Sequence, residues 1–162
     1  MAQRQLQFRL TIDSRLENIE LVQVVLNDCL ERMGMAEDAR HWFDLATREA
    51  VANAIKHGNH NTPGKHVEVR MWRQGEELAV SVADEGEGFD PGDVGDPLSP
   101  ENLLRPSGRG LFYMQSFMDR VDYAPRDAGG TVVTLYKRQN EAVSTTTAVP
   151  SGAAESDSGG DG

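Results

Sequence analysis

A chain of 162 residues suits one domain with its own apolar core, and 38% hydrophobic with 26% charged residues is ordinary globular composition. A formal net charge of −10 with no obvious basic patch argues against a nucleic-acid binder and for a protein partner or a small ligand. No apolar run reaches the roughly 18–20 residues of a membrane span, residues 1–9 lack the apolar centre of a signal peptide, and the one cysteine, Cys29, excludes an internal disulfide framework, so a reducing, cytoplasmic setting is expected.

Residues 6–12 alternate apolar and polar, which predicts a strand with one buried face carrying Leu6, Phe8, Leu10 and Ile12. Asp13 or Ser14 can cap a helix begun there, with Glu17 three or four residues on. Leu16, Ile19, Val22 or Gln23, Leu26 and Leu30 then recur at helical spacing, predicting a helix over 14–33 that Gly34 stops. Glu37 or Asp38 starts a second helix, 38–57, with Trp42, Phe43, Leu45, Ala46 and Ala50 as packing residues. On that helix Glu49, Asn53 and His57 form one stripe beside a second of Ala46, Ala50 and Ala54. Polar groups next to a packed alanine face are costly unless partnered. Without partners they would be a solvated helix edge.

Residues 66–73 and 78–83 read as a hairpin around the turn at 74–76. Residues 84–110 are loop-like, with Pro91, Pro97, Pro100 and Pro106 among repeated glycines, and a connection this long is commonly functional or disordered. A short helix over 111–118 precedes strands over 119–124 and 131–137, the strands joined by a Gly129-Gly130 turn. Residues 139–162 are rich in Ser, Thr, Ala and Gly; Glu141, Glu155, Asp157 and Asp161 place four of the net negative charges there, and the composition predicts a disordered tail. The order β-α-α-β-β-loop-α-β-β groups strands and helices in blocks. It predicts an α+β fold, a two-layer sandwich whose sheet is mixed or mainly antiparallel with helices on one face.

Three motifs carry chemistry. Asp84-Glu85-Gly86-Glu87-Gly88 lies directly after a buried-type strand, so a carboxylate at the strand end is succeeded by residues that permit close ligand approach. Such an acid can accept a hydrogen bond from an exocyclic amine such as that of adenine; an Asp/Gly turn is the structural alternative. A calcium loop does not fit, because its third, fifth and sixth positions would be Gly86, Gly88 and Phe89. Gly108-Arg109-Gly110-Leu111 enters a helix, where exposed backbone N–H groups suit phosphate, although neither a Walker A nor a Rossmann pattern is present. Gly129-Gly130-Thr131 taken alone is a hairpin turn. His57, His60 and His66 read as surface histidines, Cys29 as a packed residue, Trp42 and Trp72 as core or partner contacts, and Lys56 as a solvated helix lysine.

In combination, Glu49-x-x-x-Asn53-x-x-x-His57-Gly58-Asn59, Asp84-x-Gly86-x-Gly88, Gly108-x-Gly110-Leu111 and Gly129-Gly130-Thr131 resemble the ATP-binding (Bergerat-type) fold of gyrase-type topoisomerases, histidine kinases and mismatch-repair ATPases. The resemblance covers about residues 6–138. Glu49, the 84–89 segment, Gly110-Leu111-Phe112 and Phe117-Met118-Asp119 resemble, within it, the anti-sigma-factor serine/threonine kinases. That resemblance implies ATP and Mg²⁺ as cofactors, with Asn53 a metal ligand and Glu49 the general base. It implies that Asp84 holds the adenine amino group with support from Thr131, and that Gly86 and Gly88 admit the nucleotide. Gly108, Arg109 and Gly110 would cradle phosphates under a lid of about residues 91–107. The implied partners are a sigma factor and an antagonist (anti-anti-sigma) protein, with no nucleic acid or membrane contact, and relatives of this kind are commonly homodimers. A non-catalytic, nucleotide-dependent binding module of the same fold is the alternative. A detached histidine-kinase catalytic domain fits less well, because such domains usually carry Asn where Glu49 stands and His41 lacks the usual phospho-acceptor surroundings.

Overall fold

The computed structural model describes residues 2–87 and 114–139. Five strands form one sheet: β1 (Arg4–Asp13), β2 (His66–Gln74), β3 (Glu77–Ala83), β4 (Arg120–Pro125) and β5 (Thr131–Arg138), in the spatial order β1-β2-β3-β5-β4. Every neighbouring pair is antiparallel, so the sheet has no parallel component among the described residues. Two helices, α1 (Ile19–Arg32) and α2 (Glu37–Asn53), pack on one face. This is the two-layer α+β arrangement expected from the block order.

The core lies between these layers. Val22, Leu26 and Leu30 of α1 and Phe43, Ala46, Ala50 and Val51 of α2 meet Val67, Val69, Met71, Val80, Val82 and Leu135 of the sheet. Their spacings, three and four residues on the helices and two on the strands, are those that keep one face apolar. Gln23 and Asn27 of α1 both donate to the Asp44 carboxylate of α2, at 3.1 and 3.0 Å, and tie the two helices together. Burial pushes the Asp44 carboxyl above its ordinary range despite those two bonds. Trp42 stacks on Phe117 at 3.8 Å between ring centroids, which joins α2 to the helical residues 114–117.

Three local features differ from the sequence expectations. In β1 the register slips at Gln7: Leu6 pairs with Trp72, but Phe8 pairs with Met71. The inserted residue turns Leu6 to the sheet face away from the helices, 60% exposed, while Phe8, Leu10 and Ile12 face the core. A bulge changes the parity of a strand, and alternation alone cannot show it. At the start of α1, Leu16–Asn18 form a 3-10 turn and no side chain caps the helix. Ser14 is instead buried, its hydroxyl donating to the Lys65 carbonyl at 2.7 Å. Finally, the second helix is α-helical only to Asn53 and continues as a π-turn over Ala54–Gly58, closed by Asn59 N–H donating to the Ala54 carbonyl at 2.8 Å. The wider turn moves His57 off the Glu49–Asn53 stripe into solvent.

Candidate functional site

Asp84 is the first residue beyond β3, whose residues from Leu78 to Ala83 are buried, so the strand delivers its carboxylate to an enclosed position, 7% exposed. A buried carboxylate is tolerable only when hydrogen-bonded. Oδ1 accepts from the Gly86 N–H at 3.0 Å and from the Thr131 N–H at 3.1 Å. The Asp84 backbone N–H donates to the Thr131 carbonyl at 3.0 Å, and its carbonyl accepts from Arg126 Nη1 at 3.2 Å. Among the described residues nothing donates to Oδ2. One oxygen thus builds the site and the other can accept a hydrogen bond from a ligand.

Glycines close around this carboxylate. A Cβ on Gly58, at the end of the π-turn, would overlap Asp84 Oδ2, and a Cβ on Gly130 would overlap the Asp84 carbonyl oxygen. Gly130 also sits at φ +104°, a conformation side chains rarely adopt. A Cβ on Gly86 would likewise overlap the Gly58 carbonyl oxygen. The Gly129-Gly130 doublet is therefore more than a hairpin turn, because it lets β5 begin directly against Asp84. Thr131, buried beside it, holds Asp84 through backbone groups.

Asn59 comes directly after Gly58 and is wholly buried. Its Nδ2 donates to Ser14 Oγ at 2.8 Å and to the His66 carbonyl at 2.9 Å, and its Oδ1 accepts from the Glu85 N–H at 2.7 Å. In the sequence Gly58-Asn59 reads simply as a helix stop. Arg126, Gly130 and Asn59 all touch the Asp84 turn across long sequence separations, and only the His-Gly-Asn ending of the motif hints at one of them.

Glu49 and Asn53 lie one helical turn apart on α2, half-buried beside the buried Ala46 and Ala50. Neither side chain hydrogen-bonds to another described residue. Asn53 ends the α-helix, and the π-turn then leads to Gly58 on Asp84, so one continuous stretch joins the two polar positions to the buried carboxylate. Lys56, His57, His60 and His66 are exposed, and His66 sits between Asp13 (3.2 Å) and Glu85 (3.6 Å). Gly88, Gly108, Arg109, Gly110 and the expected lid over 91–107 lie outside the described residues. A groove of about 380 Å³ runs over the opposite sheet face, between Arg4, Arg70, Trp72, Ser81, Thr134 and Tyr136. It is separated by the sheet from Glu49 and Asn53, so it is not where those residues act.

This arrangement leaves an acceptor oxygen at Asp84 that can take a hydrogen bond from an amine, with an amide and a carboxylate on the helix that runs into its turn. Comparison with known proteins gives the same direction. The family model for the histidine kinase-like ATPase domain matches residues 12–137. A curated relative, an anti-sigma F factor of Oceanobacillus iheyensis, is 30% identical over 126 residues, which are 75% of this chain and 85% of that protein. The serine-protein kinase RsbW of Bacillus subtilis is 30% identical over 131 residues, 76% of this chain and 80% of the relative. Among solved structures, the RsbU and RsbW domains of a Mycobacterium tuberculosis protein match with a TM-score of 0.59 at 21% identity. That match covers 81% of this chain but only 31% of the larger one, and it bears on the fold alone.

Proposed function

The chain belongs to the histidine kinase-like ATPase family, and we propose that it is an ATP-binding anti-sigma factor with serine/threonine protein kinase activity. It phosphorylates an antagonist protein and, in its other state, sequesters a sigma factor. The observation that carries this reading is the Asp84 carboxylate, buried and fixed by backbone N–H groups through Oδ1 with Oδ2 left to accept. Oδ2 accepts the adenine 6-amino group, with Thr131 supporting it. Gly86 and Gly88 let the backbone lie against the base, and Gly108, Arg109 and Gly110 cradle the phosphates through backbone N–H groups.

The residues present fit a magnesium ion. Asn53 offers a carboxamide oxygen that no described residue occupies, a hard donor of the kind Mg²⁺ takes alongside phosphate and water. Bound there, the ion would neutralise charge on the ATP phosphates. Glu49, one turn back, takes the proton from the attacking serine or threonine hydroxyl. The hydroxyl oxygen bonds to the γ-phosphorus as the bond to the β–γ bridging oxygen breaks, and ADP leaves with that electron pair. Positioning and charge neutralisation supply most of the acceleration in such transfers. On this reading the partners are a sigma factor and its antagonist, met in the cytoplasm. No helix among the described residues is long and apolar enough to cross a membrane.

Capture on the full chain from its source cells, with and without ATP, tests this reading. A sigma factor and a second protein phosphorylated on serine or threonine are expected. Recovery of neither, or label only on histidine, would contradict it.

A further inference from the structure

We propose that Asn59 is a positioning residue for base recognition: through Oδ1 it holds the 84–86 turn in the shape that aims Asp84 at an adenine amino group. This rests on the assignment of Asp84 above. Asp84 Oδ1 and the Gly86 N–H close a turn of the kind in which an aspartate bonds to its own backbone two residues on. That closure leaves the intervening Glu85 N–H pointing away from Asp84, and Asn59 Oδ1 receives it at 2.7 Å. Remove that acceptor and the part-buried N–H is unpaired, so the Asp84–Glu85 peptide has a reason to rotate and carry the carboxylate with it.

The other two Asn59 bonds end elsewhere. Nδ2 reaches Ser14 at the end of β1 and His66 at the start of β2, and Ser14 in turn donates to Lys65. The donor arm anchors the side chain to the sheet, and the acceptor arm acts on the ligand turn. The two arms can therefore be separated by mutation.

The test compares affinity for ATP with affinity for inosine triphosphate, which has a carbonyl in place of the 6-amino group, alongside urea unfolding. The wild-type chain is expected to prefer ATP by about tenfold or more. Ser14→Ala, which removes a partner of the donor arm, lowers stability and keeps the preference. Asn59→Ala lowers the preference to within about threefold of unity, chiefly by weakening ATP. Asn59→Asp, which retains an acceptor for Glu85 while losing both donors, keeps the preference at reduced stability, and it carries the test if Asn59→Ala does not fold. An unchanged preference in folded Asn59→Ala, or its loss in folded Asn59→Asp, overturns the proposal while leaving Asp84 as the base reader. A wild-type chain with no preference overturns the Asp84 assignment and this proposal with it.

Discussion

At Asp84 the proposed function gives the two carboxylate oxygens separate tasks, and an isosteric change tests it. In Asp84→Asn the amide can keep its oxygen toward the Gly86 and Thr131 N–H groups, which then puts an NH₂ where Oδ2 stood. In the flipped rotamer the NH₂ faces those two donors instead. Either way one good contact becomes donor against donor. ATP affinity in Asp84→Asn is expected to fall by more than about tenfold with the fold kept, measured by calorimetric titration and circular dichroism. At this scale Asp84 is legible in the sequence because an acid leading into Gly-x-Gly at a strand end is a local pattern. Gly58, Asn59, Arg126 and Gly130 are not legible as its neighbours. Their contacts span 26 residues or more, and a helix stop or a hairpin turn explains each of them locally.

Among the elements, the π-turn sets the geometry between α2 and the Asp84 turn. Its extra residue sets the rotation at which Gly58 and Asn59 leave the helix. Deleting exposed Lys56 shortens the turn by one residue and swings Asn59 away from Glu85. Helical content is expected to persist by circular dichroism while ATP binding is lost. Periodicity predicts the helix but not its widening, since apolar spacing says little once the face is already buried. The sheet makes a prediction about pH. Glu68 bonds Arg9 at 2.7 Å and Arg70 at 2.6 Å across β1 and β2. Burial works to raise its carboxyl, but the Arg9 hydrogen bond and the Arg70 charge outweigh burial and hold it below the usual range. A carboxyl lowered on folding stabilises above its unfolded value, and that contribution is lost as pH falls through the folded one. Glu68→Gln should cost about 1 kcal/mol near neutrality, both arginines being half exposed, and progressively less as the pH falls below the usual carboxylate range, as read by urea unfolding.

For the whole molecule, the order of strands and helices already specifies an α+β sandwich, because blocks of like elements cannot wind as alternating βαβ units. The purely antiparallel pairing and the position of Leu6 on the outer face are not legible, since pairing and bulges are settled between strands rather than along one. Gln139 is tied to the sheet and to the end of α1: its N–H donates to the Glu76 carbonyl at 2.8 Å, and its side chain donates to the Met33 carbonyl. A chain ending at Gln139 is expected to match the full chain in urea midpoint and ATP affinity; a large loss of either would place residues 140–162 in the folded unit. In the proposed function one domain binds ATP through Asp84 and passes its terminal phosphoryl group on with Glu49 as base. The most direct measurement is transfer from γ-labelled ATP, with Mg²⁺, to the purified antagonist by the wild-type chain and by Glu49→Ala. The wild-type chain should label serine or threonine, and Glu49→Ala should bind ATP equally well yet transfer at least about a hundredfold more slowly. Full transfer by Glu49→Ala, or no transfer by an ATP-bound wild-type chain, would contradict it.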